Sequence, residues 1–217
     1  MSSSTQTSTA ATPSNLEKKK FTVCVYCGSR PGSSPAYMEA ARTLGKVFIE
    51  NGWGLVYGGG TVGLMGEVAK TIVGLGGSSH GIIPEALVGH ERSGQIPPES
   101  IYGRTTTVKD MHERKRLMAE EADAFIALPG GFGTMEELFE TVTWNQLGIH
   151  SRPIIVLNID GFYDLLLGWV DKAVEGGFIS PSLKAIIGEA KTPEQVPEVI
   201  KSYIPAEGRL NLKWEST

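Results

Sequence analysis

Sulfur and imidazole are scarce in this chain, and their scarcity removes several chemistries. It has only two cysteines, Cys24 and Cys27, and both fall in or beside an apolar run. A redox C-x-x-C pair sits at a helix start, so these two read instead as buried thiols of a reducing compartment. His80, His90, His112 and His150 stand apart without the spacing of a zinc site. No apolar run approaches the roughly 18 residues of a membrane span. The N-terminal Ser/Thr/Ala-rich stretch lacks the basic and apolar regions of a secretory signal, so a cytoplasmic protein is expected. Positive charge is also short. The 20 Lys and Arg against 24 Asp and Glu give a net charge of −4, with no global field for nucleic acid or an anionic membrane. Any phosphate must therefore be held locally.

Two further absences concern motifs. The run Gly58-Gly59-Gly60-Thr61-Val62-Gly63 has no following Gly-Lys-Ser/Thr, so a triphosphate loop is excluded. It fits the dinucleotide spacing G-x-G-x-x-G, yet the acidic residue expected about 20 positions later is missing. Ser29, Ser33 and Ser34 lack the Gly-x-Ser-x-Gly elbow of a serine hydrolase.

Glycine is abundant, with 27 among 217 residues against a usual share of about 7%. Its clusters punctuate a regular alternation. Phe21 to Tyr26 reads as a strand buried on both faces, followed by Gly28 and a helix from Ser34 to Glu50. Gly54 to Tyr57 precedes Gly58 to Gly60 and a helix from Val62 to Leu75. His80 to Ile83, Ala124 to Leu128, Pro153 to Leu157 and Ile186 to Ala190 read as further strands, and Ile101 to Thr106 as an extra one. A last helix is expected from Pro193 to Tyr203. The pattern predicts an α/β, Rossmann-like three-layer fold with a mostly parallel sheet covered by helices on both faces. A single domain is expected over residues 21–204, with a disordered tail at 1–20 and a loosely held one at 205–217. Ligands of such sheets bind beyond the strands' carboxyl ends, where each glycine cluster falls.

The stretch ALPGGFGTMEELFE, Ala127 to Glu140, admits two readings. As a helix start, Thr134-Met135-Glu136-Glu137 fits a capping box with Thr134 as N-cap and Glu137 at the third helical position. As an anion site, Gly130, Gly131 and Gly133 expose backbone N–H groups at a helix N-terminus, where a monophosphate fits and Thr134 adds a donor. Lys109 to Arg116 reads as a charged helix start, either a solvated face or a source of one arginine fork, Arg114. A phosphate anchor, a carboxylate one turn away and an arginine suit cleavage of a nucleoside monophosphate at its N-glycosidic bond, through a cation-like ribosyl species.

These residues resemble the Lonely Guy (LOG) family, once widely labelled lysine decarboxylases. Pro129 to Glu137, PGGFGTMEE, matches its Pro-Gly-Gly-x-Gly-Thr-x-x-Glu signature, and Met111 to Lys115 matches the accompanying Met-x-x-Arg-Lys element. The similarity extends over roughly Phe21 to Tyr203. The resemblance implies a cytokinin riboside 5′-monophosphate phosphoribohydrolase that releases an N6-substituted adenine and ribose 5-phosphate. It also implies a homodimer or higher oligomer with the active site near the dimer interface. Arg114 and Glu137 are implied as the catalytic pair. Glu91, Lys115, Gly131, Phe132, Gly133, Thr134, Met135, Glu136 and Thr143 are implied as substrate-binding positions. No metal or redox cofactor is implied, and the partner is a small nucleotide. A broader AMP nucleosidase and a non-catalytic nucleotide carrier are the alternatives.

Overall fold

A computed structural model of the protein describes residues 19–91, 97–210, 212 and 214. Among these residues seven strands form one sheet: β1 (Thr22–Tyr26), β2 (Gly54–Tyr57), β3 (Ser79–Pro84), β4 (Arg104–Val108), β5 (Ala124–Ala127), β6 (Ile154–Leu157) and β7 (Ile187–Ala190). Their order is β4-β3-β2-β1-β5-β6-β7, and every described pairing is parallel. The sheet is thus fully parallel where a mostly parallel one is expected. In chain order the helices are α1 (Pro35–Glu50), α2 (Gly63–Gly74), α3 (Glu85–Glu91), α4 (Glu99–Tyr102), α5 (Met111–Glu121), α6 (Phe132–Gln146), α7 (Asp164–Glu175) and α8 (Val196–Ser202).

Strand periodicity divides the core into two layers. Val23, Val25, Leu55, Tyr57 and Ile126 face Leu44, Phe48, Val68, Ile72 and Val196 of α1, α2 and α8. Their neighbours Cys24, Tyr26, Val56 and Phe125 face Met118, Leu138 and Tyr163, on the side of α5, α6 and α7. Because both faces are covered, the strands read as continuous apolar runs rather than alternating ones.

β1 lies between β2 and β5, the point where the strand order reverses. The turn after β1 leads to α1 on one face, and the turn after β5 leads to α6 on the other. Diverging connections of this kind leave a crevice at the carboxyl ends of the two strands.

The segment Ile101 to Thr106 is not one strand. Ile101 and Tyr102 close the short helix α4, Gly103 turns the chain with φ 80, and β4 starts at Arg104. A Cβ at Gly103 would lie 2.2 Å from the Ser79 carbonyl oxygen, so a close passage against β3 forces the break. The last helix likewise divides into a 3-10 turn, Pro193–Gln195, and α8, with a proline in the first turn of each. After α8, Ala206 is buried, the Leu210 N–H donates to Gln146 C=O at 2.8 Å, and Arg209 donates to His150 C=O at 2.9 Å.

His150 follows α6 and contacts the Phe125 ring. Its Nε2–H donates to Thr141 C=O at 3.1 Å, and its Nδ1 accepts from Arg152 N–H at 3.2 Å, an arrangement that requires the neutral ring. Burial, with the Arg152 charge adding to it, lowers the His150 pKa to about 4 from an ordinary 6.5. Between those values the unfolded chain binds more protons than the native one, so stability rises with pH and is lost as pH falls from 6.5 towards 4. The melting temperature should therefore drop over that window in the native protein, and more shallowly in His150→Gln. Identical slopes in the two proteins would show that His150 does not carry this effect.

Candidate active site

Two glycine turns meet at the crevice. Gly28 N–H donates to Pro129 C=O at 3.0 Å, and a Cβ on Gly130 would lie 2.0 Å from Thr134 Oγ1. Close approach accounts for these two glycines. Gly131 and Gly133 are different, because a Cβ on either would meet nothing within 4 Å and neither has a positive φ. Their missing side chains are not required by packing and instead leave open space beside the start of α6.

That helix begins earlier than a capping box at Thr134 allows. Gly131 is the N-cap and makes no side-chain cap bond, and the first helical hydrogen bond runs from Met135 N–H to Gly131 C=O at 3.1 Å. The capping-box reading of Thr134 and Glu137 is thereby corrected. A glycine cap has no side chain to satisfy the first turn, so the amides of Phe132, Gly133 and Thr134 have no acceptor within the helix. They point out of a helix N-terminus, where the backbone dipoles favour an anion. A reciprocal cap is found instead on α5. There the Asp110 carboxylate accepts from Glu113 N–H at 2.9 Å, and the Glu113 carboxylate accepts from Lys109 N–H at 3.1 Å. The Glu113 amide bond holds the Asp110 carboxyl below its ordinary pKa.

The anchored first turn of α5 carries Arg114, which is not a solvated charge. Arg114 is 6% exposed and Glu137, in the second turn of α6, is 7% exposed. Arg114 Nη2 lies 3.3 Å from Glu137 Oε1, and Nη1 donates to Met111 Sδ at 3.7 Å. Arg114 Nε is buried and makes no hydrogen bond among the described residues. An exposed pair contributes about 0–1 kcal/mol. A pair this buried offsets its own desolvation at best, while removing one partner costs about 3–5 kcal/mol. Stability alone is a weak reason to keep two charges here.

The floor beneath Glu137 is hydrogen-bonded. Thr141 Oγ1 donates to Glu137 C=O at 2.9 Å, which leaves the Tyr26 hydroxyl, 2.9 Å from Thr141 Oγ1, as the donor to it. Burial pushes the Tyr26 pKa far up, so the phenol keeps its proton. These bonds tie the second turn of α6 to β1.

Arg114, Glu137, Gly131, Phe132, Gly133 and Thr134 all border one cleft of about 220 Å³, together with Ser29, Met65 and Met111. The last three escaped the sequence reading as wall residues, although Met111 belongs to the matched motif and Met65 to the GLMG run. A second cleft of about 570 Å³, lined by Arg30, Tyr37, Leu64 and Phe162, adjoins it across Gly28, Ser29, Gly131 and Phe132.

Other candidates lie elsewhere. Lys115 Nζ donates to Glu136 at 2.5 Å and Glu140 at 3.0 Å, beside the cleft rather than in its wall. Burial alone would lower the Lys115 pKa, but the two carboxylates outweigh it and hold it up. Met135 packs against the core layer under α6, and Thr143 lines a separate apolar groove between α6 and α7. Glu91 ends α3, and its side chain lies outside the described residues. Gly58 to Gly60 are buried behind the wall, with Gly58 against the Arg114 guanidinium. Among the described residues no group of three or more His, Cys, Asp or Glu is placed to hold a metal. Cys24 and Cys27 are both buried. No helix among the described residues is long and apolar enough to cross a membrane.

The family model described as "Possible lysine decarboxylase" matches residues 65–200. Cytokinin riboside 5′-monophosphate phosphoribohydrolase LOG3 of Arabidopsis thaliana is 45% identical over 204 residues, 93% of each chain. LOG7 of the same plant, with the same descriptive name, is 48% identical over 183 residues, 84% of this chain and 82% of that one. Among solved structures, the molybdenum cofactor binding protein of Rippkaea orientalis superposes with a TM-score of 0.61 at 24% identity, covering 84% of this chain and 96% of that one, a likeness of fold alone. With relatives this similar over nearly the whole length, and the signature residues gathered at the β1–β5 crevice, the chain belongs to the Lonely Guy family, whose sequence model still carries the lysine decarboxylase description.

Proposed function

We propose that the protein is a phosphoribohydrolase. It cleaves the N-glycosidic bond of cytokinin riboside 5′-monophosphates, N6-substituted adenosine monophosphates, to the free base and ribose 5-phosphate. The names of relatives at 43–48% identity support this activity. The observation that carries it to particular residues is the buried Arg114–Glu137 pair beside an uncapped helix N-terminus.

In this reading the 5′-phosphate sits over the amides of Phe132, Gly133 and Thr134, in the space left by Gly131 and Gly133, with the Thr134 hydroxyl as a further donor. Glu137, one turn into the helix, then faces the ribose. As the bond from C1′ to the base nitrogen breaks, its electron pair leaves with the base, which takes up a proton. The Glu137 carboxylate stabilises the cation developing on the sugar and accepts a proton from the water that attacks C1′. Arg114 fixes the orientation of that carboxylate. Phosphate binding at a distance from C1′ supplies the positioning. The cleft of about 220 Å³ is below the roughly 300–1,000 Å³ of whole-ligand sites, so the base extends beyond it.

A homodimer completes the proposal. Leu165, Trp169 and Phe178 are 90%, 54% and 89% exposed, and the last two line the groove that also contains Thr143. A second copy seated there would cover this apolar face. Light scattering should give the mass of two chains or a higher multiple, and a single-chain mass would contradict the assembly.

Glu137→Gln keeps nearly the same shape, so it should remain folded while base release from isopentenyladenosine monophosphate falls by at least about 10²-fold. Arg114→Ala should be impaired to a similar degree. Near-native turnover in Glu137→Gln would overturn the assignment of the carboxylate. The same result in Arg114→Ala would return that residue to a structural role.

A further inference from the structure

β2 is followed by three buried glycines, Gly58, Gly59 and Gly60, which border neither of the two clefts at the crevice. Gly59 has φ 78, a left-handed backbone that by itself favours glycine. Gly58 has no such constraint, since its φ lies outside the positive region and an L side chain could follow the same backbone. What excludes a side chain there is another residue. A Cβ at Gly58 would lie 1.9 Å from Arg114 Nη2, 3.0 Å from Cζ and 3.5 Å from Nε, and these three atoms of one guanidinium are its nearest neighbours.

We propose that Gly58 is a positioning residue for the proposed glycosidic cleavage: the absence of its side chain forms the slot that aims the Arg114 guanidinium at Glu137. The inference rests on the catalytic reading of Arg114 and Glu137, and adds to it the element that holds the arginine in place. The atom a methyl group would strike hardest, Nη2, is the one that faces Glu137 Oε1 at 3.3 Å. Restoring ordinary contact at 3.4 Å would move that nitrogen by roughly 1.5 Å. Backbone bounds the slot on one side, while Met111 Sδ and Glu137 engage the two terminal nitrogens, so the displaced head loses its register with the carboxylate. A misplacement of about 1 Å can cost on the order of 10²-fold in turnover.

The test is a double-variant cycle read by two methods, turnover of isopentenyladenosine monophosphate and melting temperature. Gly58→Ala should lose on the order of 10²-fold in kcat and should melt lower by at least about 2 °C. In the Arg114→Ala background there is no guanidinium to displace, so adding Gly58→Ala should leave the melting temperature nearly unchanged. If Gly58→Ala alone fails to fold, the double variant should fold. An equal drop in melting temperature in both backgrounds, or failure of both to fold, would make the glycine a purely backbone requirement and overturn the proposal. An inactive Arg114→Ala beside a Gly58→Ala of near-native turnover would also overturn it, while leaving the catalytic reading intact. An active Arg114→Ala would instead remove the catalytic reading, and the melting cycle would still report on the slot.

Discussion

Two opposite charges, each more than nine-tenths withdrawn from water, face one another at 3.3 Å behind a glycine turn, and much of the surrounding structure serves that arrangement. Holding Arg114 and Glu137 there requires both helices to be fixed at the correct height. Asp110 and Glu113 cap the first turn of α5, while Arg152 donates to the carbonyls of Ala119 and Ala122 at its far end. Tyr26 and Thr141 tie the second turn of α6 to the sheet. Such a pair contributes little net stability and becomes costly once half of it is lost. In the proposed mechanism its use lies in orienting a carboxylate where a cationic sugar would form.

The topology places an open crevice beside the pair. At the strand-order reversal, the turns after β1 and β5 part to opposite faces and leave a crevice open. The β5 turn then starts a helix without a side-chain cap, and its first amides remain available beside the buried carboxylate. In the proposed mechanism one short stretch of chain both binds and reacts: its first turn holds the phosphate and its second acts on the sugar. The Thr134 side chain folds over Gly130, which makes the threonine part of the turn's own packing as well as a donor to the crevice.

Much of this was legible in the sequence, for identifiable reasons. Strands covered on both faces leave unbroken apolar runs, and βα turns leave glycines, so the sheet, its parallel sense and the crevice followed from pattern. Burial of Arg114 did not follow, because a charged helix start looks the same whether its fourth residue meets water or a slot in the turn after β2. Resemblance to the family singled it out where spacing left it open. The start of α6 differs from the expected one for a related reason: Thr-x-x-Glu is a strong capping signal, and a glycine cap three residues earlier has no side chain by which to announce itself. The break at Gly103 and the slot at Gly58 depend on neighbours remote in sequence, Ser79 and Arg114, which only the folded arrangement brings close. Thr143 lies on the groove between α6 and α7, apart from the cleft that Arg114 and Glu137 border.

The central claim is that a phosphate held at the start of α6 delivers the sugar to Glu137. It is tested most directly by following free base from isopentenyladenosine monophosphate and from the matching riboside, which differ only in that phosphate. The account predicts a kcat/KM larger for the monophosphate by at least about 10²-fold, the scale of lost positioning energy. Equal cleavage of the riboside would contradict it.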